Sequence, residues 1–394
     1  MKNFTYYAPT RVMFGKGTEE ELGKIVSGYG FHKVLIHFGG GSVKRSGLLE
    51  RLEKSLAAAG VEYVEFGGVQ PNPKLSLVRE AIQVCVQEQA DLVLAVGGGS
   101  VIDSAKCVAA GAAEPSVDPW EYLSRVKTVD KSLPVGVVLT IAASGSEMSS
   151  SCVITKEEGA LKRSFNSDLS RPLFAIMNPE LTYSVSKFQT GCGTVDIMMH
   201  TLERYFGTDG EAPLTDRLAE GLLKEVIEAG RIADREPDNY EARAALMWAG
   251  SLSHNSLTGL GRDYFMTAHQ IEHELSGMFD QVAHGAGLSV LFPAWCRYIY
   301  KYAIPRFCQY AVRVWNLDMN YEHPERTALA GIQVTEEYFR SLGMPTRMGE
   351  LGIALTDAQI EELAEKATFF GTRIMPDYIP IGKKEIIEIL REAI

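Results

Sequence analysis

The chain has 394 residues, more than a single hydrophobic core usually supports, so two domains are expected. Its formal net charge is −11, with acidic residues spread along the chain, which argues against nucleic acid as a partner because phosphate-backbone binding needs a basic surface. The six cysteines include no C-x-x-C pair and are too sparse for a disulfide scaffold, so a reducing cytoplasm is expected. No apolar run reaches the ~18 residues that cross a bilayer.

Apolar and amphipathic segments alternate through the first half of the chain. The strand-like runs lie at 34–38, 61–66, 92–96, 135–141 and 173–177, and helix-like stretches lie at 48–59 and 75–89. This alternation predicts an α/β domain with a largely parallel sheet. After about residue 184 only helical periodicity is found, at 216–231, 241–256, 327–342 and 383–394. The polar turn at 178–182 suits a junction, so we predict an α/β domain over 1–183 and an all-helical domain over 184–394.

The strand at 92–96 is followed by three consecutive glycines. Gly97, Gly98 and Gly99 precede Ser100, which the pattern places at the N-cap of a helix. Glycines let a ligand approach the backbone, and the N–H groups and dipole at a helix start favour a phosphate. A tight strand-to-helix turn would also use glycines, but three in a row exceed that need and favour phosphate binding.

A second glycine-rich turn at 39–42 ends the strand at 34–38, and a third small, polar turn lies at 140–147. Turns at successive strand ends of a parallel sheet would line one crevice, as in dinucleotide-binding folds. In the second turn Lys44 and Arg45 follow the glycines, and no acid is present to hold an adenosine ribose. This predicts a modest preference for NADPH with NADH still usable, and Gly41→Asp is predicted to reverse it. The two cationic side chains could instead form a solvated helix face.

Four side chains have the types and spacing of a metal site. Asp196 and His200 are four residues apart, on one face of a predicted helix, and His269 begins a second such pair, with His284 after it. One carboxylate and three imidazoles suit a transition metal, with no thiolate to make the site soft. Such an ion can act as a Lewis acid on a carbonyl or alcohol oxygen, as hydride transfer requires.

A second interpretation uses some of the same residues. His269, Glu272 and His273 fit H-x-x-E-H, a pattern in which two histidines bind zinc and the glutamate activates water for peptide hydrolysis. The glycine-rich turns weigh against this metallopeptidase alternative, because peptide hydrolysis has no use for a dinucleotide crevice.

Taken together, these residues resemble the iron-containing alcohol dehydrogenases, in particular the butanol-dehydrogenase-like branch that reduces aldehydes. The resemblance spans essentially the whole chain. Its most specific segments are 9–17, 70–73, 97–103, 144–147, 178–181 and 342–345, together with the helical metal motifs.

The resemblance implies a Rossmann-like α/β N-terminal domain, an all-α C-terminal domain of the dehydroquinate synthase-like fold, and a site in the cleft between them. It implies Asp196, His200, His269 and His284 as metal ligands, holding Fe²⁺ with Zn²⁺ possible. It also implies that His273 lies near the substrate and takes part in proton delivery. The implied partner is a small aldehyde or alcohol, and the implied assembly is a cytoplasmic homodimer.

The resemblance and the glycine turns together imply a set of dinucleotide contacts, with NADP preferred and NAD possible. This set comprises Gly40, Gly41, Ser42, Gly97, Gly98, Gly99, Ser100, Asp103, Thr140, Ser149, Lys162 and Leu181.

Overall fold

The computed structural model describes residues 1–394, which form two compact units. One unit is Tyr7–Ser184, and the other is Val185–Ile394 together with Met1–Tyr6. The sequence division grouped the first six residues with the α/β domain. Instead, Lys2 is tied to the helical unit, because its ammonium pairs with Asp209 at 2.7 Å and its backbone N–H donates to the carbonyl of Gly261.

The first unit is built on a six-stranded, all-parallel sheet with the strand order β1-β8-β5-β4-β2-β3. A separate antiparallel pair, β6 and β7, lies outside that sheet. The strands are β1 (Arg11–Phe14), β2 (Lys33–Gly39), β3 (Glu62–Val69), β4 (Leu92–Gly97), β5 (Val135–Leu139), β6 (Ser151–Lys156), β7 (Leu161–Asn166) and β8 (Phe174–Met177).

Helices join these strands and cover the sheet. They are α1 (Leu22–Gly28), α2 (Ser42–Arg45), α3 (Leu48–Ala58), α4 (Leu75–Gln87), α5 (Gly99–Ala113) and α6 (Pro119–Leu123). Every residue of β4 is buried, as expected of a central parallel strand that is covered on both faces. The leucines of α3 pack with β2 and β4 in one continuous core. The predicted parallel α/β domain is therefore confirmed.

Three strands of this unit were not predicted. Edge strand β1 has only four residues, too few for a periodic signal. The β6–β7 hairpin turns through Glu157–Ala160, where Gly159 and Ala160 both have positive φ. Strands β6 and β7 mix charged, polar and apolar residues, so their sequences show no clear alternation.

The second unit is mainly helical. Its helices are α7 (Lys187–Tyr205), α8 (Pro213–Arg235), α9 (Tyr240–His254), α10 (Thr267–Met278), α11 (His284–Ile299), α12 (Ile304–Arg313), α13 (Pro324–Ser341), α14 (Asp357–Ala367) and α15 (Lys383–Glu392). The all-helical prediction is wrong in one detail, because β9 (Met375–Pro376) and β10 (Pro380–Ile381) form a short antiparallel pair. Two-residue strands are too short for any sequence period to reveal. No helix combines the length and apolar character needed to span a bilayer.

Candidate active site

Helix α7 carries the first two predicted metal ligands. Its N-cap is Ser186, whose hydroxyl accepts from the N–H of Gln189 at 3.2 Å. From residue 193 to 205 it is buried without interruption. Asp196 and His200 lie one turn apart on it, with 3.5 Å between the carboxylate Oδ1 and the imidazole Nδ1. That distance is too long for a good hydrogen bond, although both groups are buried.

Two further helices bring the remaining predicted ligands to the same carboxylate. His269 lies in the first turn of α10, and His284 is the first residue of α11. The Nε2 atoms of both are 3.7 Å from Asp196 Oδ1. The His269 ring lies 4.6 Å from that of His200 and 5.3 Å from that of His284, centroid to centroid. All four predicted ligands therefore lie around one point in the structure.

The facing atoms at this point have no partner within the protein. Asp196 Oδ1, His200 Nδ1 and His269 Nε2 are buried and make no hydrogen bond, and they lie within 4.8 Å of one another. Unsatisfied buried polar atoms are rare and each costs about 1–3 kcal/mol. Two ligands of a tetrahedral ion bound at about 2.1 Å are about 3.4 Å apart, close to the spacing seen here. The four residues therefore fit a divalent metal ion.

Two carboxylates accept hydrogen bonds from the Nδ1 atoms of His269 and His284, which face away from the point where the ligands meet. Glu203 accepts from Nδ1 of His269 and from the backbone N–H of Ala268, the latter at 2.7 Å. Glu272 accepts from Nδ1 of His284. Both carboxylate side chains are 0% exposed. Such contacts fix the ring orientation and leave Nε2 as the free donor for a metal.

The charges of the site act differently on two of the histidines. Burial lowers the pKa of His200 well below its ordinary value, which favours the neutral form that binds metals. Burial also lowers that of His269, but the carboxylates of Glu203 and Asp196 outweigh it and raise its pKa to about 9 without an ion. A bound cation would replace that proton, so metal binding at this site would release a proton.

Close helix packing at two glycines completes the arrangement. A Cβ on Gly285 would lie 2.1 Å from the carbonyl oxygen of Cys192 on α7. A Cβ on Gly287 would lie 2.7 Å from the carboxylate of Glu272 on α10. Any side chain at either position would push α11 away from its neighbours, so these glycines let His284 reach the other ligands.

His273 lies beside the four converging residues. Its ring centroid is 5.5 Å from that of His284 and 6.5 Å from that of His269. Glu272, which the metallopeptidase alternative would use to activate water, is instead fully buried against His284. The geometry of Glu272 is therefore that of a carboxylate that orients the His284 ring.

The predicted cofactor residues lie in the other unit, mostly where strands end. Residues 40–42 follow β2, residues 98–100 follow β4, Thr140 follows β5 and Leu181 lies four residues past β8. These four strands are neighbours in one parallel sheet, so their carboxyl ends share one edge. That edge is where open α/β sheets bind ligands.

The glycine turn after β4 differs from its predicted form in one respect. Gly98, not Ser100, is the N-cap of α5, and Ser100 is the second helical residue. A Cβ on Gly97 would meet Val101 at 2.5 Å, and one on Gly99 would meet Ser144 Oγ at 2.3 Å. Packing alone therefore requires glycine at two of the three positions, as the tight-turn alternative supposed.

The turn after β2 is more open. A Cβ on Gly40 would meet nothing within 4 Å, and Gly41 has a φ of 107°, which only glycine adopts readily. Of the two basic residues that follow, Lys44 is committed elsewhere, because its ammonium pairs with Glu65 at 2.8 Å and lies over the Phe38 ring.

Three other residues that were predicted to contact the cofactor form hydrogen bonds within the protein. Asp103 accepts from Ser146 Oγ at 2.6 Å and from the N–H of Val153 at 3.0 Å, and burial raises its pKa. Ser149 Oγ accepts from the N–H of Ser151. Lys162 is buried and donates to Asn72 Oδ1 at 2.9 Å.

Several residues of these regions were missed from the sequence. Glu203 lies three residues after His200 and seven after Asp196, so helical spacing could have placed it on the ligand face. Lys106 is fully buried beneath the turn after β4, where burial lowers its pKa to about 8 against the opposing charge of Asp103. No local pattern reveals a lysine whose partners are more than 35 residues away.

Family models match both parts of the chain. The model described as iron-containing alcohol dehydrogenase matches residues 9–179, and the model described as Fe-containing alcohol dehydrogenase family, C-terminal, matches residues 190–394. The chain therefore belongs to the iron-containing alcohol dehydrogenase family.

Individual relatives agree with this assignment. The chain is 39% identical to the NADH-dependent butanol dehydrogenase A of Clostridium acetobutylicum over the full length of both. It is 36% identical to the NADPH-dependent aldehyde reductase YqhD of Escherichia coli, covering 90% of each chain. The crystal structure of NADH-dependent butanol dehydrogenase A from Thermotoga maritima superposes with a TM-score of 0.95 at 34% identity, covering 100% of this chain and 99% of that one. The family, fold class and oxidoreductase class expected from the sequence are confirmed, and the metallopeptidase alternative has no support.

Proposed function

We propose that the protein is a metal-dependent alcohol dehydrogenase and aldehyde reductase that moves a hydride between NAD(P)H and a small aliphatic aldehyde. In this proposal Asp196, His200, His269 and His284 hold one divalent ion. The observation that carries it is that Asp196 Oδ1, His200 Nδ1 and His269 Nε2 are buried without a partner. One nitrogen of each of the three histidines lies 3.5–3.7 Å from that oxygen. A protein that left these atoms unsatisfied would lose several kcal/mol.

The donor set favours Fe²⁺ or Zn²⁺. Three imidazoles and one carboxylate offer nitrogen and oxygen only, and a divalent ion there keeps about one positive charge. The family description supports iron. Zinc binds nitrogen and oxygen ligands more tightly than ferrous iron, so the purified protein can carry either ion depending on supply.

The ion, when bound, supplies a Lewis acid for the substrate oxygen, and the nicotinamide supplies or accepts the hydride. The protein's own residues do the rest. The N-terminus of α5 offers backbone N–H groups and a helix dipole to the cofactor's phosphates. The ring nitrogens of His273 hold or release the proton that the substrate oxygen exchanges during each turnover. Glu203 and Glu272 keep the ligand rings in the tautomer that leaves Nε2 unprotonated.

We further propose that the protein modestly prefers NADPH to NADH, and that the turn at Gly40, Gly41 and Ser42 determines this preference. No carboxylate in this turn would repel a 2′-phosphate, and the hydroxyl of Ser42 can donate to one. A charge-assisted hydrogen bond of this kind contributes about 1.5–3 kcal/mol, or roughly ten- to a hundredfold in affinity. Because Lys44 already pairs with Glu65, most of the added charge must come from Arg45. Relatives named for NADH and for NADPH fit a modest preference.

The cofactor preference is best tested at Gly40. Gly41→Asp would strain a backbone with a φ of 107°, whereas a side chain on Gly40 meets nothing within 4 Å. Gly40→Asp is expected to lower the ratio of kcat/KM for NADPH to that for NADH by about tenfold or more. A wild-type preference for NADH, or a ratio that does not move, would contradict this reading of the turn.

The metal assignment is tested by elemental analysis combined with an aldehyde-reduction assay. His269→Ala and His284→Ala are expected to lose both bound metal and NADPH oxidation with butanal, yet remain folded by circular dichroism. His323→Ala is the matched control, since the imidazole of this exposed histidine pairs with Glu325 at 3.4 Å, and the variant should keep both properties. Full metal content in both ligand variants would overturn the assignment.

The role of His273 is tested separately. His273→Ala is expected to keep the metal but lower turnover or change its pH dependence, whereas an unchanged rate and pH profile would reject a part in proton delivery. The cytoplasmic location and the homodimer also remain predictions, and sedimentation would test the latter.

A further inference from the structure

A fully buried lysine lies beneath the glycine turn that follows β4. Lys106, on the second turn of α5, is 0% exposed. Its ammonium donates to Ser146 Oγ at 2.8 Å, to the carbonyl of Ser149 at 2.9 Å and to the carbonyl of Ser151 at 2.8 Å. An ammonium has three donors, so all of them are committed to one short segment of the chain.

An opposite charge one turn earlier holds the same segment. Asp103 accepts from Ser146 Oγ and from the N–H of Val153. The Ser146 hydroxyl therefore bridges the two charges, because it donates to the carboxylate and accepts from the ammonium. Between β5 and β6 the segment has little regular structure of its own, only a single 3₁₀ turn at Ser146–Met148. Its conformation consequently depends on these contacts with α5.

The same segment touches the glycine turn directly. The N–H of Thr140 donates to the carbonyl of Gly97 at 3.1 Å. A Cβ on Gly98 would meet Ile141 at 3.2 Å, and a Cβ on Gly99 would meet Ser144 Oγ at 2.3 Å. Residues 140–144 thus lie against the turn, while residues 146–151 are bound to the helix that follows it.

We propose that Lys106, with Asp103, is a positioning residue that locks residues 144–151 onto α5, so that this segment and the glycine turn act as one preformed dinucleotide cradle. The inference rests on the proposed function, which assigns the N-terminus of α5 to the cofactor, and on the expectation that Thr140 and Ser149 contact the cofactor as well. It also gives Asp103 a positioning role through Ser146 and Val153. Lys106 does not contact the cofactor's phosphates itself, because it is enclosed and its three donors are used.

A preformed cradle binds without ordering a loop, so losing the lock should weaken cofactor binding more than it affects hydride transfer. A lysine that only stabilised the fold would lower the unfolding temperature and leave the affinity of the folded protein unchanged. The difference between affinity and stability therefore separates the two roles.

The test compares Lys106→Met with a matched control. Methionine has a similar length but cannot donate a hydrogen bond. Lys366→Met removes another buried lysine, in α14, whose ammonium pairs with Glu362 at 2.6 Å. NADPH affinity is measured by nicotinamide fluorescence on the metal-loaded protein without aldehyde, alongside thermal unfolding of each variant.

We expect Lys106→Met to bind NADPH about tenfold or more weakly, with a raised KM for the cofactor and a kcat that changes far less. Lys366→Met should bind NADPH as the wild type does, even if it melts earlier. If Lys106→Met does not fold, Ser146→Ala takes its place, because removing one hydroxyl leaves almost no cavity. It should weaken binding severalfold and speed hydrogen exchange across residues 146–151.

The outcomes separate this inference from the function on which it rests. Folded Lys106→Met and Ser146→Ala with wild-type affinity would overturn the positioning role while leaving the proposed function intact. An equal loss of affinity in Lys366→Met would do the same, because the effect would then follow stability alone. A wild-type protein that binds neither NADPH nor NADH would overturn both.

Discussion

Replacing Glu203 by glutamine tests whether a carboxylate outside the ligand set controls metal binding. Both oxygens of Glu203 are used, one by the N–H of Ala268 at 2.7 Å and the other by Nδ1 of His269. Glutamine has the same shape but only one acceptor. If its oxygen stays with Ala268, its NH₂ faces Nδ1 and forces the proton to Nε2, the atom that would bind the metal. If the amide flips, two donors face each other at Ala268.

The expected loss follows from that single changed contact. A hydrogen bond to a charged group contributes about 1.5–3 kcal/mol. Substituting such an outer carboxylate typically costs about 10- to 100-fold in metal affinity, which is ~1.4–2.7 kcal/mol. Glu272→Gln should show a smaller loss, because the side chain of its partner His284 is 25% exposed and can turn to regain a partner in water.

The assay is competition for Zn²⁺ between stripped protein and a chromophoric chelator at constant pH. The matched control is Glu336→Gln, which alters another buried carboxylate of the helical unit that pairs with Arg297 and Arg340. It should lower the unfolding temperature and leave zinc affinity unchanged. A Glu203→Gln variant that binds zinc within about twofold of the wild type, or a control that loses as much affinity, would refute the reasoning.

Three further predictions concern stability and packing. Burial lowers the pKa of His37 to about 4, so between pH 6.5 and pH 4 the unfolded chain binds a proton that the folded chain does not. The free energy of unfolding should therefore fall by up to about 3 kcal/mol as the pH falls through this range. His37→Gln should lack this pH dependence when both proteins are unfolded with denaturant at several pH values. Asp216→Ala leaves two arginines of the helical unit without their shared carboxylate and should cost about 3–5 kcal/mol in the free energy of unfolding, measured with urea. Gly285→Ala would press against the Cys192 carbonyl and should reduce both stability and zinc affinity, whereas Gly349→Ala, with open space around it, should change neither.

Much of the architecture follows from the sequence because its signals are local. The buried strands β4 and β5 are continuous apolar runs, and the apolar run of β2 is interrupted only by His37. Strands that are covered on both faces can be recognised from such runs alone. The four-residue spacing of Asp196 and His200 places both on one helix face wherever that helix packs. The resemblance to the family, whose models match both halves of the chain, adds the roles that are expected of these residues.

Tertiary structure alone decided which groups meet across elements. Helical spacing gives the face on which Glu203 lies, but not that His269 of another helix faces it 66 residues later. The same holds for Lys106, whose partners lie 40 to 45 residues away, and for the first six residues, which join the helical unit. The spacing of apolar residues shows which face of a single helix or strand is buried. The partner of a buried charge depends instead on how separate elements pack together, and no short stretch of sequence contains that information.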